Sequence, residues 1–527
     1  MAFTFQINDN VKFNHDKYLL DKAEKFKHPL KYKKVCPKNL VQINSDDQSF
    51  NGFKAVILDQ RIEDLKNILL SKGDRITLDF GDHCVGKFSI NLKSVGSPMD
   101  APLFLHLKFG ETPAEIGIDS GTYDGWLSNS WISEEFIHLD MLPTKLSLPR
   151  RYAFRYVEIE VLGASPKWQL SVSDPIALTQ SAVLIDDVPK LNIKDPRLKK
   201  IDEVSIKTLH ECMQDVFEDG PKRDRRLWLG DLRLQSLANY ETFKDNDMVK
   251  RCLYLFAGTA TVDGKIAANI FTKPSIQPDD TFLFDYSLFF ISVLYDFYQQ
   301  TGDKQVLDDL YPVAKKQIDL ALKSVDKNGL LQLDDDWPVF IDWSNDFDKS
   351  TASQAVLIYV LKQFVILTKI MDETNTCQYQ KLVDLCSKAS LEKLYDSNLG
   401  MFISGPNREI NLASQVWMEI AHVLNKDENR KLMTQTMVKL FPIKGIATPY
   451  MYHHIVLALI ESDHKQEAIQ LIKNYWGKML DLGADTFFEA FDPDNVEFSP
   501  YGSPIVNSYC HAWSCTPTFL IRKYLLK

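Results

Sequence analysis

Residues 285–323 read Asp285-Tyr-Ser-Leu-Phe-Phe-Ile-Ser-Val-Leu-Tyr-Asp-Phe-Tyr-Gln-Gln-Thr301-Gly302-Asp303, then Lys304-Gln-Val-Leu-Asp-Asp-Leu-Tyr-Pro-Val-Ala-Lys-Lys-Gln-Ile-Asp-Leu-Ala-Leu-Lys323. Two helical segments meet at Thr301-Gly302-Asp303. Glycine closes the first because it takes a left-handed C-terminal conformation without a Cβ penalty, and aspartate can cap the next. The unit is a helical hairpin. Outward from it the same punctuation recurs, as at Asn328-Gly329. Helical periods fall near 197–214, 231–244, 247–257, 285–301, 304–323, 351–371, 377–392, 411–424, 428–439, 449–461, 464–477 and 507–525. Twelve helices in succession make six hairpins, a number that suits an (α/α)6 barrel with alternating inner and outer helices. No repeat signature marks the segments, which argues against an open solenoid.

Upstream the period changes to two. Ile76, Leu78 and Phe80 alternate with polar neighbours, as do Leu103, Leu105, Leu107 and Phe109, and Val157, Ile159 and Val161. Short alternating runs between Gly, Pro and Asp clusters predict an antiparallel β-sandwich. The expected organisation is an irregular Lys-rich extension over 1–45, a β-sandwich domain over 46–192 and a helical-barrel domain over 193–527.

Composition bounds the partners. Of 527 residues 45% are hydrophobic and 25% charged, an ordinary globular mix, and the net charge is −10. An acidic chain repels phosphate backbones and anionic lipid, so nucleic acid and membranes are excluded as expected partners. The start, MAFTFQINDN, turns polar within six residues and lacks a secretory pattern. Eight scattered cysteines form no C-x-x-C pair, and His453-His454 has no acidic or thiol partner at metal spacing. The expectation is a cytoplasmic protein with reduced thiols, no metal and no organic cofactor.

Three clusters carry candidate chemistry. Glu218-Asp-Gly-Pro-Lys-Arg-Asp-Arg-Arg-Leu-Trp-Leu-Gly-Asp231 gathers Asp219, Arg223, Asp224 and Asp231 around Trp228 in a connection between helices. It reads either as a salt-bridged turn or as a site whose carboxylates hold different protonation states. Asp334-Asp-Asp-Trp-Pro-Val-Phe-Ile-Asp-Trp-Ser-Asn345 sets Trp337 and Trp343 among acids, either as core plugs or as faces for sugar rings. Thr486-Phe-Phe-Glu489-Ala-Phe-Asp492 places Glu489 among aromatics, either as a tuned base or as a glutamate facing water. Cys510-His511-Ala-Trp513-Ser514 opens the last helical period, where a histidine is either a hydrogen-bonded core residue or a ligand contact.

Together these clusters resemble the bacterial α-L-rhamnosidases of glycoside hydrolase family 78, over residues from about 50 to the end. Asp219 to Asp231 is similar to the family's D-x-P-x-R-(D/E)…W-x-G-D segment. Asp285-Tyr-Ser-Leu-Phe, Asp336-Trp-Pro through Ile341-Asp-Trp, Thr486-Phe-Phe-Glu and His511-Ala-Trp-Ser follow in the family's order. Phe109-Gly-Glu-Thr-Pro and Pro149-Arg-Arg-Tyr-Ala-Phe-Arg-Tyr resemble its β-sandwich domain. The resemblance implies inverting hydrolysis of terminal rhamnosides, with Asp224 as general acid and Glu489 as general base, and the lack of a secretory pattern adds the expectation of small glycosides as substrates. It implies that Asp219, Arg223 and Asp231 hold sugar hydroxyls, that Trp228, Trp337 and Trp343 form an aromatic wall with Asp285 nearby, and that His511 binds sugar. Two departures stand out. Asp224 occupies a position where the family often has Glu. The helical period also runs to the last residue, where many members continue into a β-sandwich, an edge that leaves a homodimer open. Other readings are a six-hairpin enzyme for another deoxysugar, one for a uronic acid held by Arg225 or Arg226, and a barrel that binds carbohydrate without cleaving it.

Overall fold

The computed structural model describes residues 6–526. Within the first 45 residues it corrects the expected irregularity. Helix α1 (Lys17–Lys25) is capped by the Asp16 carboxylate, which accepts from the Tyr18 and Leu19 N–H groups. Strand β1 (Lys31–Val35) and strand β2 (Asn39–Ser45) join the main sheet. The Lys-rich composition hid β1 because an edge strand with four exposed residues carries no hydrophobic alternation.

The sheet continues through β3 (Phe53–Ile57), β4 (Leu69–Leu70), β5 (Arg75–Gly96), β6 (Leu103–Gly110), β7 (Glu134–Leu139), β8 (Thr144–Ser147), β9 (Tyr152–Gly163) and β10 (Trp168–Ser181). The ten strands form one antiparallel sheet, with the short helix α2 (Pro113–Gly117) between β6 and β7. Strand β5 is the spine. Its first part pairs with β2 and β9, its second with β8 and β10. Gly86 sits at the changeover, opposite both Tyr152 and Thr179. A Cβ there would lie 2.2 Å from the Leu178 carbonyl oxygen, so only glycine fits. The sheet encloses a core that includes Leu78, Phe80, Leu105, Leu107, Val157, Ile159 and Val161, the alternating residues of the sequence.

The helical part runs α3 (Pro196–Cys212), α4 (Leu229–Glu241), α5 (Asn246–Gly258), α6 (Phe284–Thr301), α7 (Lys304–Ala321), α8 (Ser350–Ile370), α9 (Thr376–Lys393), α10 (Leu412–Ile420), α11 (Lys426–Leu440), α12 (Pro449–Glu461), α13 (Lys465–Asp481) and α14 (Pro517–Leu520). Gly302 closes α6 with φ 67°, and the Asp303 side chain caps α7 through the Val306 N–H. The even-numbered helices pack in series: α4 on α6, α6 on α8, α8 on α10, α10 on α12, α12 on α14 and α14 on α4. They are buried on nearly every side; all nine residues of α10 and twelve of the thirteen of α4 are buried. The odd-numbered helices pack outside them with one buried face, α7 on α6, α9 on α8, α11 on α10 and α13 on α12. Helix α8 is long and apolar enough to span a bilayer, but 83% of its apolar window is buried within this packing. Helix α1 packs on α5.

The last helical period is also corrected. Residues 507–516 form irregular backbone and a short 3-10 turn (Ala512–Cys515), and only α14 and the π-turn after it are helical. The backbone groups bond across the chain instead: His511 N–H donates to Phe487 O and Ala512 N–H to Asp219 O. That exchange draws residues 487, 511 and 219 together.

Candidate active site

The connection from α3 to α4 folds into a pinched loop. The Asp219 N–H donates to Arg226 O at 3.0 Å, and the Asp219 carboxylate accepts the Arg226 N–H at 3.0 Å. At the tip Asp224 and Arg225 adopt left-handed backbone, with φ 59° and 55°. Such conformations cost about 1–3 kcal/mol each and persist only where the surroundings over-determine them. Here the surroundings come from both domains. Lys222 is buried and donates to Glu115 Oε2 at 2.7 Å, Ile505 O at 3.1 Å and Asn507 O at 2.7 Å. Arg225 reaches back to Lys222 O and across to Arg151 O at 2.8 Å. Arg151 in turn pairs with Glu218. Burial pushes the Glu115 carboxyl up to about 7, against the pull of Lys222.

Glu489 arrives from the connection after α13. Its N–H donates to Ser508 O, and its carbonyl accepts the Trp513 indole N–H at 2.9 Å. Its carboxylate is held at both oxygens: Arg223 Nη2 donates to Oε2 and the Tyr501 hydroxyl to Oε1. Arg223 is itself fixed by its Nε donating to Val506 O at 2.8 Å and by the Tyr501 ring 3.9 Å below the guanidinium. The Nη1 atom of that guanidinium lies 3.8 Å from Asp224 Oδ1. One arginine therefore touches both candidate carboxylates. Burial raises the Glu489 pKa, with Arg223 and Tyr501 pulling it back.

Asp224, Glu489, Asp219, Arg223, Trp228, Asp231, Trp343 and His511 line one cavity of about 360 Å³. Two expected residues do not. Asp285, at the start of α6, is fully buried and accepts the Phe340 and Ile341 N–H groups, which shapes the 334–345 loop from behind. Trp337 is 7% exposed and packs edge-on against Phe284 at 5.1 Å, with Lys265 over its ring. Of the two arginines considered for a uronate, Arg225 faces the N-terminal domain, and Arg226 lines the cavity 3.4 Å from Asp279.

Burial shifts the titratable groups of the floor toward their uncharged forms. Burial first, then neighbouring carboxylates, push Asp219 and Asp231 well above the usual carboxylate range. Burial, with Arg223 nearby, holds His511 well below its ordinary value, which favours the uncharged ring. His511 Nδ1 lies 3.4 Å from Asp231 Oδ1, and neither atom has a hydrogen-bond partner. Buried polar atoms that no protein group satisfies, set in a cavity wall, are open to a hydrogen bond from water or a ligand.

Sequence reasoning missed Tyr501, Trp513, Tyr286 and Phe340 in the wall, and Trp126, Trp131 and Gln6 at the rim. Trp513 stood two residues from His511, inside a motif already singled out. Tyr501 and the two rim tryptophans sit in irregular connections, where neither period two nor period 3.6 marks a side chain. Gln6 is placed by pairing its amide with the Phe282 N–H and C=O.

Residues 37–179 match the glycosyl hydrolase family 78 α-rhamnosidase N-terminal domain, and residues 186–525 match the bacterial α-L-rhamnosidase six-hairpin glycosidase domain. No curated protein sequence matches the chain. Among solved structures, a rhamnosidase from Klebsiella oxytoca with rhamnose bound is 42% identical and superposes with a TM-score of 0.95, covering 98% of this chain and 100% of that one. The family 78 rhamnosidase of Bacillus sp. GL1 superposes at 0.73 and 18% identity, over 89% of this chain and 49% of that one. The Streptomyces avermitilis α-L-rhamnosidase complexed with L-rhamnose does so at 0.65 and 16%, over 94% and 44%. The latter two likenesses are of fold alone. With both domain models matched in order and the Klebsiella structure similar end to end, the chain belongs to glycosyl hydrolase family 78 and is an α-L-rhamnosidase-like glycoside hydrolase.

Proposed function

We propose that the protein hydrolyses terminal α-L-rhamnosides with inversion at the anomeric carbon, Asp224 acting as general acid and Glu489 as general base. The observation that carries this reading is the Arg223 guanidinium shared between the two carboxylates. One guanidinium spanning both carboxylates sets a ceiling of about 8 Å on the separation of the bridged oxygens; the roughly 6.5–9.5 Å of an inverting pair overlaps that range, and the anomer of the product decides between inversion and retention. In this reading Asp224, the more exposed of the two, protonates the departing glycosidic oxygen. Glu489, ionised against Arg223 and Tyr501, takes a proton from the water that attacks the opposite face. Asp219, Asp231 and His511 meet the sugar hydroxyls as neutral donors and acceptors. Trp228 and Trp343 cover its apolar face, including the 6-methyl group.

The serial packing of the even-numbered helices supports an (α/α)6 barrel, with the two-part sheet before it a β-sandwich. Eight free cysteines suit a reducing, cytoplasmic setting. The pairing of Arg226 with Asp279 disfavours a uronate, which needs a cation not already spoken for.

The test is proton NMR of the sugar released from p-nitrophenyl α-L-rhamnopyranoside. Inverted rhamnose as first product is expected, and a retained anomer would overturn the mechanism. Asp224→Asn and Glu489→Gln should each lower kcat by at least about a thousandfold while the protein stays folded by circular dichroism, with Glu489→Gln also melting earlier because Arg223 loses its buried partner. Near-normal turnover by either removes that residue from its role.

A further inference from the structure

Away from the candidate active site, two of the even-numbered helices end on a cluster of donor atoms. Glu419 is the penultimate residue of α10, and Glu461 is the last of α12, which packs against it. His422 follows α10 in left-handed backbone, with φ 48°, and its N–H donates to Glu419 O at 2.7 Å. Its Nε2 atom lies 3.7 Å from Glu461 Oε2. One donor atom from each of the three residues lies within 4.8 Å of the other two. Glu419 is 1% exposed, and its Oε2 atom is buried with no hydrogen-bond partner. Among the described residues no lysine or arginine forms an ion pair with either carboxylate. Lys362 donates instead to the Ala421 and His422 carbonyls, at 2.7 and 2.9 Å, and Lys523 and Arg233 act on Glu461 only from a distance.

We propose that Glu419, His422 and Glu461 hold one divalent transition-metal ion, Zn²⁺ fitting best, which ties the end of α10 to the end of α12. The donors select the ion. One imidazole and two carboxylates suit Zn²⁺, whereas Ca²⁺ and Mg²⁺ prefer oxygen ligands throughout. Bonds of about 2.0–2.2 Å to a tetrahedral ion would set the donors about 3.4 Å apart. The exposed His422 ring and the Glu461 side chain can close that gap while Glu419 stays fixed. The exposure of His422 leaves the fourth position to water. Both carboxylates stand at helix C-termini, where the backbone dipole also favours a cation. Burial and the facing Glu461 push the Glu419 carboxyl up to about 9, so the rival occupant is a proton. The role is structural. The start of α12 meets the loop of Trp343, where Asp342 accepts the Ala447 N–H, and Glu461 ends that helix about 18 Å further on. The sequence expectation of no metal misses the site because Glu461 joins Glu419 and His422 only through packing.

The experiment titrates ZnCl₂ by isothermal calorimetry into the full-length protein, stripped with EDTA and desalted. Wild type, Glu419→Gln, Glu461→Gln and His422→Gly are compared. Glycine suits the left-handed backbone at 422, and the ring it removes is exposed, so that variant keeps the fold. Wild type should bind one Zn²⁺ per chain, and each variant should lose at least about tenfold in affinity. Zn²⁺ should raise the wild-type melting temperature by more than that of any variant. A crystal soaked in ZnCl₂ should show anomalous scattering between the three side chains. Zinc bound equally by wild type and His422→Gly would lie elsewhere, at a thiol such as Cys510, and would overturn the proposal. No binding at micromolar Zn²⁺ would overturn it too, leaving the carboxylates to share a proton. Ca²⁺ binding as tightly as Zn²⁺ would overturn the choice of ion.

Discussion

Replacing Tyr501 with phenylalanine removes one atom from the site. The ring that supports the Arg223 guanidinium at 3.9 Å stays, and the hydroxyl that donates to Glu489 Oε1 goes. A hydrogen bond to a charged group contributes about 1.5–3 kcal/mol, and Arg223 still holds the other oxygen, so the lower end applies. The lost bond favoured the ionised carboxylate, and its removal leaves burial, which favours the protonated form, less opposed. The sign follows. A general base works only when ionised, so activity is present above its pKa and lost as pH falls through it. Y501F should therefore move the acid limb of the kcat/KM profile upward by roughly one pH unit, because 1.36 kcal/mol corresponds to one unit. The assay is the pH profile of aryl rhamnoside hydrolysis, with thermal melts alongside. An acid limb that stays in place while the protein melts normally would refute the assignment of that limb to Glu489.

Lys222→Met breaks a buried ion pair and should cost about 3 kcal/mol, the low end for such losses, because Glu115 can escape by taking a proton. Glu115 titrates near 7 even beside the lysine, so the penalty should grow with pH; urea melts at pH 6 and pH 9 should differ, with the larger loss at pH 9. Gly86→Ala forces a methyl against the Leu178 carbonyl and should destabilise the N-terminal domain by about 1–3 kcal/mol, seen as an earlier calorimetric transition. L-Rhamnose should raise the wild-type melting temperature by mass action, and Asp231→Asn should abolish that rise while keeping the ligand-free melt.

Much of the helical half was legible because its helices obey local rules. Gly302 and Asp303 mark one boundary by backbone preference and capping alone, and they do so in the folded chain. The final period failed for a physical reason. Residues 507–516 are apolar enough to pass for a helix, but their backbone groups are claimed by Phe487, Asp219 and Glu111, partners far away in sequence. The same limit explains the site. Asp219, Arg223, Asp224, Trp228 and Asp231 were visible as a cluster because they lie within thirteen consecutive residues, a loop and the first turn of α4. Tyr501 meets Glu489 across a loop with no period to mark it, and Trp126 reaches that tyrosine only through the packing of the N-terminal domain on the helices. Asp285 and Trp337 were placed by motif, and the motif describes a loop that supports the cavity from behind as readily as one that lines it.

The left-handed turn at Asp224 and Arg225 has a consequence for how far this enzyme can be taken apart. Its supports are Glu115 and Arg151, which belong to the N-terminal domain, as much as Ile505 and Asn507, which belong to the C-terminal one. The N-terminal domain is thus a working part rather than a handle: it sets the conformation of the residue that would deliver the proton. Trimming the chain to residues 193–527 in search of a minimal catalyst would leave Lys222 without Glu115 and Arg225 without an acceptor. The strained tip would then relax into an ordinary turn. The helices alone would keep every side chain of the pinched loop and lose the shape that gives them their use.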